Sequence, residues 1–325
     1  MGRKVLIFAI IFWAVFIYQA FGVTYYIAPD GSDSNSGTST TSPWKTWSYA
    51  LSKLQAGDTL IVKNGSWTNL SSCTGLTTPC LANATLPNVD CSSTSYNNGT
   101  SGSPITVKAE NERQAWLKSD GSVEAFKLAN CSYWNIEGLR MSSQDKPTTT
   151  NRSVFRVYKS SNINIKRNLV HDVNRCNNNH AIIIDGDSSY VLVEENEVYN
   201  FHRHGIQSYQ SGFITFRRNY VNSRHTPDAP SSVCSYVSRV TSSGDEGLSF
   251  YQTHDSVAEN NICEHTAECF TAHADGNPTD AGDNNKYFGN IAIDTTVAGF
   301  LLTSRCRNTD PCPDSRIAEN NQYYN

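Results

Sequence analysis

The octet VLVEENEV, residues 191–198, sets Val191 and Val193 two apart, then turns at a pair ending in Asn196. The same frame recurs as INIKRNLV from 163, ITFRRNYV from 214, DSVAENNI from 255, NKYFGNIA from 285 and SRIAENNQ from 315. The sixth letter is asparagine each time, at Asn168, Asn196, Asn219, Asn260, Asn290 and Asn320, with steps of 28, 23, 41, 30 and 30 residues. WNIEGLRM from 134 fits the frame with Leu139 in the asparagine slot. Period-two alternation marks half-buried strands, and none of these octets has the three-and-four spacing of a helix.

A second strand follows in every unit: SVFRVY from 153, HAIIID from 180, HGIQSY from 204, EGLSFY from 246, ECFTAH from 268 and AGFLLT from 298. Its third and fifth letters are apolar or small and are expected to face inward, the fourth and sixth to face water. Units of this length with two or more short strands stack as a solenoid, each coil resting on the one before. The predicted fold is all-β, a parallel β-solenoid whose asparagines form a ladder of amides about 4.8 Å apart. The ladder is structural, and no chemistry is assigned to it.

The ends of the chain are read separately. Residues 1–22 carry Arg3 and Lys4, an apolar run from Val5 to Tyr18, and then Ala20 and Gly22, the layout of a cleaved secretory signal, with an uncleaved anchor as the alternative. Residues 23–325 are expected to form one solenoid domain, with a cysteine-rich insertion at 66–103 and a loop at 222–245 that walls a groove. Trp44, Trp47 and Trp67 are expected to cap its N-terminal end. Only five residues follow Asn320, so the last repeat is expected to lack its second strand and the sequence to be C-terminally incomplete.

Composition narrows the function classes. A net charge of -4, from 26 Lys and Arg against 30 Asp and Glu, provides no basic surface for nucleic acid. Ten cysteines without a CxxC pair point to disulfides in an oxidising compartment rather than to zinc. Six N-x-S/T sequons, at Asn64, Asn69, Asn83, Asn98, Asn130 and Asn151, agree with export as a glycoprotein. A secreted monomer is expected, free of the membrane once the signal is removed.

The stretches YYIAPDGSDSNSGTSTTSPWKTWSYALSKLQAGDTLIVKNGSW (25–67), SPITVKAENERQAWLKSDG (103–121) and YWNIEGLRM (133–141) resemble secreted right-handed parallel β-helix proteins. Among these are polysaccharide lyases of the chondroitinase B and alginate lyase type. The resemblance covers most of residues 24–325 and implies a right-handed coil and a uronate-containing substrate. GDEGLSFYQTHDSV (244–257) is similar in layout to the segment in which those lyases carry acidic calcium ligands and a catalytic lysine, with Gln252 in the lysine slot. The RHG at 203–205 occurs there on the coil after the acidic one, and here on the coil before it.

Ionisable and aromatic residues concentrate in the middle coils of the second strand. A groove across these coils is expected to bind an acidic polysaccharide. Cleavage by β-elimination needs the uronate carboxylate neutralised, a base for the C5 proton and an acid for the leaving oxygen. Arg203, His204, Tyr209 and Glu246 are the catalytic candidates, His204 or Tyr209 serving as base. His180, Asp185, Tyr251 and His273 are candidates for substrate contact, and Asp245, Glu246 and Glu268 for a Ca²⁺ ion. Two readings compete. Asp245, Glu246 and Glu268 also suit a glycoside hydrolase, and the same columns suit a carbohydrate-binding wall protein without catalysis.

Overall fold

The computed structural model describes residues 22–147, 151–176, 178–224, 233, 246–275, 283–305 and 322–324. Their strands form three parallel sheets of ten, eight and nine strands in a right-handed parallel β-helix. One coil shows the plan. Ser189–Glu194 lies in the ten-stranded sheet, Glu197–Tyr199 in the nine-stranded sheet and His204–Tyr209 in the eight-stranded sheet. Gly212–Arg217 then begins the next coil, paired in register upon Ser189–Glu194. All six second strands of the sequence frame are strands of the eight-stranded sheet, from Ser153–Tyr158 to Ala298–Arg305.

The sharp turn between the ten- and nine-stranded sheets sets the register. Its first residue has a left-handed backbone in six successive coils: Gly138, Arg167, Glu195, Arg218, Asn260 and Gly289 all have φ between 52° and 67°. The next residue points into the core. Asn168 Nδ2 donates to Asn196 Oδ1 at 3.0 Å, Asn196 to Asn219 at 3.0 Å, Asn219 to Asn261 at 3.0 Å and Asn261 to Asn290 at 2.9 Å. Each ladder oxygen also accepts the backbone N–H of the preceding ladder residue, and each amide donates to a buried backbone carbonyl. Leu139 closes the row, its N–H donating to Asn168 Oδ1 at 2.9 Å while its side chain joins the core.

Two expectations change. The fourth ladder member is Asn261, not Asn260. Asn260 occupies the left-handed slot, which asparagine tolerates better than most residues, and so its side chain faces solvent. The SRIAENNQ frame also fails. Gln322–Tyr324 pairs with Lys286–Phe288, four residues ahead of the Asn290 level, whereas Asn320 lies outside the described residues.

Inward third and fifth letters are buried as expected in the first five second strands, among them Ile182, Ile206, Leu248, Phe250 and Phe270, whereas Phe300 of the sixth is 37% exposed. At the N-terminal end the short helix Trp47–Lys53 buries Trp47, Ala50 and Leu51, with Trp47 set edge-on against Trp67 and Phe126 at 5.4 and 6.2 Å. Residues 66–103 are woven into the fold, since Cys80–Leu81 and Asn88–Asp90 add strands to the nine- and eight-stranded sheets. Disulfides Cys73–Cys80, Cys91–Cys131 and Cys263–Cys269 pin loops, and no described cysteine is free, which suits an oxidising compartment. No described helix is long and apolar enough to cross a membrane, and the signal segment lies outside the described residues.

The ladder assignment is open to direct test. Asn261→Ala is expected to leave the Asn219 backbone N–H and one of the two Asn219 amide hydrogens without an acceptor and to cost at least about 1–3 kcal/mol. Asn260→Gly, at an exposed left-handed position, is expected to stay within about 0.5 kcal/mol of the wild type. Urea unfolding of both variants checks this, and a larger loss at position 260 would reverse the assignment.

Candidate functional site

Parallel register turns sequence columns into rows of side chains one strand spacing apart. The first letters align as Ser153, His180, His204, Glu246, Glu268 and Ala298. The sixth letters align as Tyr158, Asp185, Tyr209, Tyr251, His273 and Thr303. A cleft of about 450 Å³ opens over these rows, lined by His180, Asp185, Arg203, His204, Tyr209, Glu246 and Tyr251 from the sequence reading. Arg156, Gln207 and Asn178 complete its polar wall.

The expectation that fourth and sixth letters face water fails in these coils. Gln207, Ser249 and Thr271 in the fourth position are buried, as are Asp185 and His273 in the sixth. Bulky neighbours stacked in register screen one another. His180 lies on His204 with ring centres 4.6 Å apart and planes within 9°, Tyr209 on Tyr251 at 5.3 Å, and Tyr251 on His273 at 5.2 Å. The result is a desolvated row of ionisable groups behind a half-exposed tyrosine wall.

Within this row the contacts are close. His204 Nδ1 stands 3.4 Å from Glu246 Oε2, and His273 Nε2 stands 3.5 Å from the same oxygen. Thr271 Oγ1 donates to it at 3.4 Å. Gln207 links the two stacked imidazoles, with its amide 2.9 Å from His180 Nε2 and 3.3 Å from His204 Nδ1. Arg156 grips Asp185 through two hydrogen bonds of 3.1 and 2.6 Å. Arg203 Nε donates to Asn178 Oδ1 at 3.0 Å.

Burial, and then the neighbouring His204, push His180 well below the ordinary imidazole range. Burial pushes His204 down too, against the pull of Glu246. Burial alone would raise the Glu246 carboxyl, but His204 and His273 hold it well below the usual carboxylate range. Glu246 is thus the ionised member, and His180 is a neutral imidazole at neutral pH. Burial also raises Asp185, and Arg156 opposes that shift only in part.

The expected metal ligands are met in part. Glu246 and Glu268 face each other on adjacent coils, and the third donor is the His273 imidazole, which the sequence reading had placed at the substrate. The ligand atoms of the three lie within 4.8 Å of one another, all buried. Asp245 lies outside the described residues. Two carboxylates and an imidazole suit a divalent cation of mixed oxygen and nitrogen preference better than Ca²⁺, which takes six to eight oxygens. Glu246 and Glu268 are also closer than the ~6.5–9.5 Å of an inverting hydrolase, and Glu268 does not line the cleft.

Sequence reasoning missed Gln207 and Arg156. Both stand in the fourth-letter column, which was set aside as solvent-facing. A second cleft of about 510 Å³ lies over the loops that enter this sheet, where Arg175 pairs with Asp145, Asp172 with His171, and Lys118 and Arg224 lie over the Trp116 and Tyr199 rings. His171 is further occupied by Arg140, whose Nε donates to its Nε2 at 2.8 Å.

The family described as Pel9A-like, right handed beta helix region matches residues 25–300. A search of curated proteins found no match. Among solved structures, a GH136 lacto-N-biosidase from Eubacterium ramulus is similar at a TM-score of 0.50 and 13% identity, over 93% of this chain and 68% of that one. A rhamnogalacturonan lyase is similar at 0.48 and 13%, over 92% and 87%. The pectate lyase Pel9A is similar at 0.47 and 13%, over 91% and 82%. At such identities the likeness concerns the fold alone.

The buried imidazoles predict a pH dependence of stability. With its native pKa depressed, His180 binds fewer protons folded than unfolded, so its stabilising contribution is present above the unfolded value of 6.5 and is lost as pH falls below it. Thermal unfolding between pH 8 and 5, with chelator present, is expected to show Tm falling on the acid side. His180→Gln is expected to flatten that slope, and an unchanged slope would mean that His180 is not desolvated in solution.

Proposed function

This chain belongs to the Pel9A-like right-handed β-helix family, and on that premise we propose that it is a secreted enzyme cleaving a uronate-containing polysaccharide by β-elimination. The observation that carries this reading is the desolvated His204 imidazole, lining the cleft with Glu246 behind it and Arg203 beside it. A neutral imidazole held below its ordinary pKa accepts a proton, and an ionised carboxylate at Nδ1 stabilises the cation that forms.

In this scheme the Arg203 guanidinium pairs with the uronate carboxylate and lowers the cost of charge moving onto it. His204 removes the C5 proton, the C4–O bond breaks, and a C4=C5 double bond forms. The Tyr209 phenol gives its proton to the leaving oxygen. Tyr251 supports the sugar ring, and His180 and Asp185 border the binding face, Asp185 by fixing the Arg156 guanidinium. Glu246, Glu268 and His273 are the residues that would hold a divalent cation, which when bound supplies positive charge beside the cleft. Disulfides and the leader-like N-terminus support secretion.

The test is ultraviolet absorbance of unsaturated product from polygalacturonate and alginate, run with chelator and with added Ca²⁺ or Mn²⁺. Wild type is expected to produce unsaturated ends. Arg203→Ala and His204→Ala are expected to slow the reaction by roughly 10²–10³. New reducing ends without unsaturation would make the protein a hydrolase, and retention of polymer with neither would make it a binding protein.

A further inference from the structure

Aromatic side chains occupy a strained position where the same fold elsewhere uses asparagine or aspartate. In six successive coils the residue at the start of the strand in the ten-stranded sheet has a left-handed backbone: Tyr133, Asn162, Tyr190, Phe213, Asp255 and Asn284 have φ between 49° and 58°. The register aligns these six, since Ser132, Ser161, Ser189, Gly212 and His254, one residue earlier, are paired coil to coil. Asn and Asp are the residues that tolerate this conformation, whereas for a bulky side chain it is a genuine outlier. Strain of that kind persists where something other than stability retains it.

Tyr190 and Phe213 do not repay the strain by burial. They are 57% and 43% exposed, and their rings stack on each other at 4.9 Å with planes within 8°. His254 extends the strip, edge-on to Phe213 at 5.6 Å. Its ring rests over Gly212, where a Cβ would come within 2.3 Å of it. On the other side the slot belongs to Asn162, too small to cover Tyr190. Three rings on three successive coils thus lie open on one edge.

The strip follows the cleft wall directly along the chain. Tyr209 of the cleft wall is followed by Gln210, whose Nε2 donates to Gln252 Oε1 at 3.0 Å across the coil boundary, and three residues later comes Phe213. A polymer extending past Tyr209 and Tyr251 and over the turn at Gln210 would meet the aromatic strip. Flat rings with an amide beside them suit the apolar face and hydroxyls of a pyranose.

We propose that Tyr190, Phe213 and His254, with Asn162 at the margin, form a second carbohydrate-binding surface that holds pyranose units of the acidic polysaccharide outside the cleft. It rests on the proposed polysaccharide substrate, not on the proposed chemistry.

The experiment is native electrophoresis of the full chain in gels containing polygalacturonate or alginate, with Tm measured in parallel. Wild type is expected to be retarded in at least one gel. Tyr190→Asn with Phe213→Asn is expected to weaken retention roughly tenfold, the scale of lost aromatic contacts, with Tm equal to or above the wild type because the strain is relieved. Unchanged retention, a lowered Tm or a wild type that is not retarded would each overturn the proposal. Release of unsaturated ends is scored separately. Retention lost in the variant without any cleavage by the wild type refutes only the lyase reading, and cleavage without retention refutes only this surface.

Discussion

A turn that points into a solenoid leaves backbone groups where water cannot reach them, and everything else in this molecule depends on satisfying them. The asparagine row does so. Each amide takes the place of a water molecule, accepting from one coil and donating to the next, so the bond that closes one turn also sets the height of its neighbour. A residue of another size or polarity there would leave an unpaired amide or break the one-spacing repeat. Leu139 is admissible because it stands at the end of the row, where only its backbone N–H needs a partner.

The same repeat that orders the turns forces chemistry into rows. Residues at one position of successive second strands stand one spacing apart whether or not their charges agree. His180, His204, Glu246 and Glu268 are held in register by backbone bonds, and their side chains exclude water from one another. An isolated buried charge would be costly, so the row alternates its demands: two imidazoles depressed by burial, then a carboxylate that two imidazoles keep ionised. The scaffold thus brings two imidazoles and a carboxylate into one desolvated row by strand register alone.

The fold was legible because its determinants are local and repeated. Six second strands begin at the residue the frame assigns, since alternation and turn chemistry recur with each coil. The error at Asn260 and Asn261 has a physical cause: two adjacent asparagines satisfy two different requirements, a left-handed backbone and a buried amide, and only the backbone separates them. The site was legible by column but not by environment. Alternation placed His180, His204 and Glu246 together, yet it treated the outer face as solvated. In-register stacking of large side chains buries what alternation exposes, and so Gln207 was overlooked and the nearness of His273 to Glu246 was not foreseen. The Asp245 expectation falls on a residue beyond the described ones.

In such a fold conformity to the column and departure from it carry different information. Where the backbone demands asparagine and asparagine is present, as at Asn162 and Asn284, the demand explains the residue completely. Where the identical backbone bears Tyr190 or Phe213, the fold would be served as well by a cheaper residue, and stability gives no reason for the ring. The first-letter column works the same way. Ala298 shows that the last strand of the eight-stranded sheet accepts a methyl group in this column, so the imidazoles and carboxylates on the four preceding strands are not required by the strand pairing that holds them. A solenoid therefore carries its own controls: each coil reports what the backbone alone would accept, and the residues beyond that requirement are those whose explanation lies in binding and chemistry.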